Sequence, residues 1–233
     1  TPSQLSKIKM GAIGLGSSND FHKPMDKQNM IEGIHCLINF SSAVKRDIGE
    51  LTFCDDRGLR QKKYWIINAS IGITAEANLF FNTPDFIGLY LKKSITSMAI
   101  LYAALRTIAI YKNQILSVTI GTELSQIINL TNMGITKSPH FSGNFSYDTP
   151  FEKDSGKFYI NISRDMQITK TLHLLWHLSN RRFRGLPNTE SVCSDLLKIE
   201  SFDPFAVEYD GEVVSTNNAV FDVKQKMIRV CSC

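Results

Sequence analysis

Apolar and polar positions alternate in short bursts over most of the chain. Residues 64–67, 117–120, 126–132, 158–162, 196–200 and 206–209 each carry a few strand-like positions, with Gly and Asn breaks between segments. Each burst predicts a strand, and many short strands with such breaks predict a β-rich, sandwich-like body rather than a parallel sheet. A second rhythm interrupts the first. Leu91, Ile95, Met98, Tyr102, Leu105 and Ala109 form one apolar stripe. Their spacing predicts a helix of about 20 residues with the stripe turned to the core. Leu172, Leu175 and Leu178 predict another helix over 169–179, with Thr169 as its cap.

The first fifty residues have a different texture. Ile8, Met10 and Ala12 alternate as a strand, and small residues follow from Gly14. Met30, Ile34, Leu37 and Ile38 recur at helical spacing and predict a helix over 29–40. Strand, small-residue turn and helix together resemble the tail of an α/β unit. The expected fold class is α/β plus β, with divisions at 1–50, 51–221 and a terminal segment 222–233 that returns to the first unit.

Composition narrows the classes. A chain of 233 residues, 43% hydrophobic and 21% charged, can bury an ordinary core. A net charge of +4 is too mild for a nucleic-acid-binding signature. Arg57, Arg60, Lys62 and Lys63 form one basic cluster and Arg181, Arg182 and Arg184 another. Either could face anionic head groups, although a solvated loop accounts for each cluster by itself. Cys36, Cys54, Cys193, Cys231 and Cys233 are odd in number and lack zinc spacing, so reduced thiols are expected. No apolar run reaches the roughly 20 residues that span a bilayer, and no signal peptide is recognisable, so a cytoplasmic protein, peripheral at a membrane, is the expectation. His173 and His177 stand four apart, but leucine follows His173 where a zinc protease needs glutamate.

Three segments carry chemistry. Gly14-Leu15-Gly16-Ser17-Ser18-Asn19-Asp20-Phe21 suits a turn where backbone approaches a ligand closely. Trp65-Ile66-Ile67-Asn68-Ala69-Ser70-Ile71-Gly72 follows it, and Asp210-Gly211-Glu212 lies near the end. The last also bears the signature of a tight type I′ hairpin turn. In order and separation the three resemble the motifs of the diacylglycerol kinase catalytic family, which includes sphingosine kinases, ceramide kinase and bacterial lipid kinases. The resemblance extends over nearly the whole chain.

That resemblance implies an ATP-dependent, Mg²⁺-assisted transfer of the γ-phosphate to a lipid hydroxyl. Residues 1–50 would be the C-terminal portion of an α/β nucleotide-binding domain, and 51–221 a lipid-substrate domain. Glu212 would be the general base, with Asp210 orienting the site. Gly16, Ser17, Ser18, Asn19 and Asp20 would border the nucleotide. A structural Mg²⁺ would fall to Glu152, Ser155 and Lys157, partly through backbone carbonyls, with Asp154 as a substitute for the acid that Ser155 lacks. Asp47-Ile48-Gly49 resembles the family's Asp-x-Gly, with a strand-end turn as the equal alternative. A lipid substrate, a transient membrane surface and a homodimer are the expected partners. The family's Gly-Gly-Asp-Gly-Thr element is not among the 233 residues. The chain therefore reads as part of a longer kinase, or as an inactive lipid-binding or regulatory relative. A kinase of a soluble alcohol on the same scaffold is the third reading.

Overall fold

Residues 7–16, 18–25, 29–143 and 145–231 are described by the computed structural model. The short strands β1 (Lys9–Met10), β2 (Ala12–Ile13), β3 (Met30–Ile31) and β4 (Ile34–Leu37) lead into the long β5 (Val44–Cys54), then β6 (Arg60–Trp65) and β7 (Asn68–Gly72). Three helices follow: α1 (Ile73–Asn82), α2 (Phe86–Ser94) and α3 (Thr96–Ile110). The chain returns to strands in β8 (Gln114–Ile120), β9 (Gln126–Thr136), β10 (His140–Phe141), β11 (Phe145–Ser146) and β12 (Phe158–Arg164). After α4 (Ile168–Ser179) come β13 (Thr189–Ser194), β14 (Leu196–Tyr209) and β15 (Glu212–Val230). The chain is thus mostly β with four α-helices among the described residues, as the alternation predicts.

Ten strands make one sheet in the order β13-β12-β9-β7-β14-β15-β5-β6, with β1 parallel to the end of β15. β8 has an unusual place. β7 pairs with residues 132–136 of β9 and 207–209 of β14, while β8 pairs with residues 126–130 of β9 and 197–200 of β14. The two strands therefore fill one slot end to end, and α1, α2 and α3 spring from the break between them. The sheet also folds over on itself. Trp65 and Phe158 come from strands far apart in the order, yet their rings lie 6.2 Å apart inside one core shared with Leu51, Ile71, Leu130 and Phe221. Trp65 and Phe158 are fully buried, each contributing on the order of 2–3 kcal/mol of hydrophobic stabilisation.

The join of β7 to α1 depends on two residues. Gly72 has φ of 91°, and a Cβ there would stand 2.5 Å from the Thr131 carbonyl oxygen. Only glycine accepts both constraints. Just beyond it, the Thr74 amide donates to Asn132 Oδ1 at 2.8 Å, so a side chain from β9 satisfies one of the free amides of α1's first turn.

Several sequence expectations are corrected here. The helix expected over 29–40 is instead the β3–β4 hairpin, because Glu32 and Gly33 both take left-handed backbone, φ 49° and 83°. Its helical spacing is coincidental to a two-residue turn. The single helix expected over the 91–109 stripe is α2 and α3, separated at Ile95, whose backbone is extended. The stripe does not face the core either. Ile95, Met98 and Leu105 are exposed, while α3 buries Ala99, Ala103, Thr107 and Ile108. Small side chains let α3 pack closely, so the bulkier stripe is left outside. The helix over 169–179 is α4, but its N-terminal flank is Gln167 and no side chain caps it. Among the described residues, no helix is long and apolar enough to cross a membrane.

Gly72→Ala should destabilise the chain by about 3 kcal/mol through left-handed strain and the clash with Thr131. Asn132→Ala should cost about 1 kcal/mol through loss of the cap. Urea unfolding of both variants against the parent measures these values.

Candidate active site

The turn between β14 and β15 is built from Asp210 and Gly211, with φ of 45° and 94°. Two successive left-handed residues make the tight hairpin that the Asp-Gly pair predicts. Asp210 does more than turn the chain. Its carboxylate accepts the amides of Ile66, Ile67 and Asn68 at 2.6, 2.9 and 3.2 Å, while its own amide donates to the Asn68 carbonyl at 3.0 Å. The residue is at the surface, but its carboxylate is turned inward. Burial holds its pKa above the usual carboxylate range, against the pull of the three amides.

A second acid supports the turn from inside. Glu208, 3% exposed, accepts the Gly211 amide at 2.7 Å and the Ser70 hydroxyl at 2.8 Å. Burial pushes its pKa up to about 7, aided by the nearby charges of Asp210 and Asp20 and opposed by those two hydrogen bonds. Asn82, at the end of α1, donates to the Gly211 carbonyl at 3.2 Å. The turn is therefore fixed from β6, β7 and α1 together. Glu212 is the exception among its acids. It is exposed, and no hydrogen bond or ion pair among the described residues engages its carboxylate.

The loop from Gly14 to Phe21 comes to the same region. Asn19 takes left-handed backbone, φ 50°, and its side-chain amide donates to the Gly14 carbonyl at 3.0 Å. Asp20, 7% exposed, accepts the Gly143 amide at 3.2 Å and pairs with Lys23 at 2.7 Å. Lys23 also donates to the Gly143 carbonyl. Asp20 thus clamps the 142–143 segment to the loop, and its charge reaches Glu208. Gly16 and Ser18 are open or partly open at this loop, whereas Ser17 lies outside the described residues.

Beside the loop is an apolar cavity of about 150 Å³. Ala77 and Phe81 of α1, Ile100 and Ala103 of α3, and Leu174 and Leu178 of α4 line it. Ser18, Thr74 and Ser142 supply polar groups in its lining. A smaller void shares Thr74, Phe141 and Ser142 and ends against Glu208. The fold thus brings together the three motif segments that lie far apart in sequence, with an apolar space next to them.

Of the residues expected at the structural metal, Asp154 is bound to other groups and Glu152 and Lys157 are exposed. Asp154 is already occupied, accepting the Asp47 amide at 2.9 Å and the Arg46 guanidinium at 2.6 Å. Ser155 Oγ is buried without a hydrogen-bond partner, and Glu152 and Lys157 are exposed. Among the described residues, no group of three His, Cys, Asp or Glu side chains is placed to hold a metal. This donor set does not fit Mg²⁺, which needs hard anionic oxygens free to approach it. His173 and His177 sit on α4 with Nε2 atoms 3.2 Å apart and no acid completing a zinc site. Glu208 is a site-building acid that none of the sequence motifs assigns. An acid inside the apolar run Phe205-Ala206-Val207-Glu208-Tyr209 is the signal that would have found Glu208.

No protein-family model matches the sequence, and no curated protein matches it. Solved structures do match the fold. A Bacillus anthracis str. Sterne protein provisionally assigned as a diacylglycerol kinase superposes with a TM-score of 0.65 at 15% identity, covering 94% of this chain and 67% of that one. A structure described as a diacylglycerol kinase from the same organism gives 0.59 at 13% identity, with 94% and 64% covered. The chain has the fold of these structures and spans about two-thirds of their length.

Glu208 gives a signed pH prediction. Its folded pKa lies above the ordinary glutamate value, so the folded state binds this proton more tightly than the unfolded state. Its stabilising share is present below about pH 4.5 and is lost as pH rises to about 7, a change of about 3 kcal/mol. Glu208→Gln should remove that slope relative to the parent in urea unfolding between pH 4.5 and 8. Asp210→Ala should cost about 3 kcal/mol near neutral pH by freeing three amides, and more as pH falls towards 4.5, because the raised pKa of Asp210 stabilises the parent at low pH.

Proposed function

We propose that this chain is the base-bearing, acceptor-binding portion of an ATP-dependent lipid kinase. It transfers the γ-phosphate to the hydroxyl of a diacylglycerol- or sphingoid-like lipid. The observation that carries this reading is Glu212, an exposed carboxylate without a side-chain partner on a turn bonded by Asp210, Glu208 and Asn82, the last of which ends the helix whose Phe81 lines the apolar cavity. A base must be ionised and free to accept a proton, and its frame must not move. Asp210 and Glu208 supply the frame and leave Glu212 to the chemistry.

In this reading the lipid tail lies between α1, α3 and α4, and its hydroxyl meets Glu212. The hydroxyl oxygen bonds to the γ-phosphorus as the bond to the ADP oxygen breaks, and the hydroxyl proton passes to the Glu212 carboxylate. Gly16, Ser17, Ser18 and Asn19 border the phosphates, where small residues and backbone amides favour close approach. Mg²⁺ arriving with the nucleotide supplies charge neutralisation to the phosphates. Asp20 acts through position, holding 142–143 against the loop.

A membrane surface is part of the proposal. Phe86 and Tyr90 of α2 are 86% and 66% exposed, Met98 and Leu105 of α3 are exposed too, and Lys92 and Lys93 are close in sequence to Tyr90. An apolar surface with lysines on α2, next in the chain to the cavity-lining α1 and α3, suits collection of a lipid from an interface.

Glu212→Gln in the intact polypeptide should lower radiolabelled phosphate transfer to lipid alcohols by about 10²–10⁴-fold. Nucleotide binding should be unchanged. Ala103→Phe should raise KM for long-chain acceptors more than for short-chain ones. Label appearing only in water-soluble alcohols would replace the lipid reading with a soluble-alcohol kinase, and unaltered turnover in the Glu212 variant would remove the base assignment.

A further inference from the structure

Next to the β6–β7 connection, the 151–157 loop meets Arg46, Asp47 and Lys137, and with its own Asp154 makes a cluster of two acids and two cations. Asp47 is 2% exposed, and it accepts the amides of Gly156 and Lys226, each at 2.8 Å. Asp154 reciprocates by accepting the Asp47 amide and the Arg46 guanidinium. Lys137, immediately after β9, is anchored by its own amide to the Ile67 carbonyl at 2.9 Å. Its ammonium donates to the Lys157 carbonyl at 3.4 Å and feels the charges of both Asp47 and Asp154.

We propose that the Lys137 ammonium takes the place of the structural divalent cation expected under this loop, so that folding of the loop needs no metal. Three features carry the inference. The Lys157 carbonyl, one of the expected metal ligands, receives an N–H from Lys137. Ser155 stands where an anionic ligand is expected, and its buried hydroxyl engages nothing. Asp154, the nearest replacement acid, is neutralised by Arg46. Charge also balances: a site with one negative charge fewer is matched by a cation with one positive charge fewer. A divalent ion entering the same space would meet the ammonium and too few anionic oxygens to repay its lost hydration.

This inference does not depend on phosphoryl transfer, because its test uses neither nucleotide nor acceptor. Thermal unfolding of the intact protein should give the same Tm in EDTA and in millimolar Mg²⁺. Lys137→Met should lower Tm, and Mg²⁺ should not restore it. The double variant Lys137→Met with Ser155→Asp should gain a Mg²⁺-dependent rise of about 5 °C. The proposal is overturned if Mg²⁺ raises the parent's Tm, if Lys137→Met unfolds with the parent's Tm, or if the double variant ignores Mg²⁺. The EDTA and Mg²⁺ comparison on the parent decides the matter even where a variant does not fold.

Discussion

The Asp210 carboxylate, taking three successive amides from the β6–β7 connection, is the constraint on which the site depends. Ile66 and Ile67 lie between two strands, where no ladder partner is available, and Asn68 opens the next strand. An acid from a distant hairpin satisfies them all. The same acid sets the left-handed turn that aims Glu212 outward. Local conformation, backbone satisfaction and the orientation of a candidate base therefore share one residue. Removing it would disturb each of them at once.

Around that point, the divided strand slot gives the molecule its second property. β7 and β8 fill one position in the sheet, and the break between them lets three helices stand out from an otherwise continuous sheet. The core beneath loses little, since β9 and β14 continue past the break. The helices gain a face against the sheet and a face away from it. Their small residues Ala77, Ala103 and Ala104 border the cavity, while large apolar side chains such as Phe86 point to solvent.

Much of this was legible in order along the chain. The alternation located the strands, the Asp-Gly pair located the hairpin, and the three motifs predicted a fold that matches solved kinase-like structures. The 29–40 helix was misread because four apolar residues fit helical spacing while Glu32-Gly33 sets a turn. The 91–109 spacing does not mark the buried face, because extended backbone at Ile95 divides the stripe and α3 buries Ala99, Ala103, Thr107 and Ile108 instead. The metal segment was recognisable by position, but its occupancy by Arg46, Asp47 and Lys137 depends on residues from β5 and the end of β9. No local pattern announces such partners.

By itself the sequence determined which segments are extended, where the tightest turn lies and which acids stand near it. Those follow from short-range rules: alternation, spacing and the backbone freedom of glycine. Only the tertiary structure decided which acid is free. Asp20, Asp154, Glu208, Asp210 and Glu212 are alike as sequence, and four of them are bound by amides, hydroxyls or cations brought from elsewhere in the chain. Whether a carboxylate becomes a strut or stays available is set by its partners and its burial, and both are properties of the folded chain.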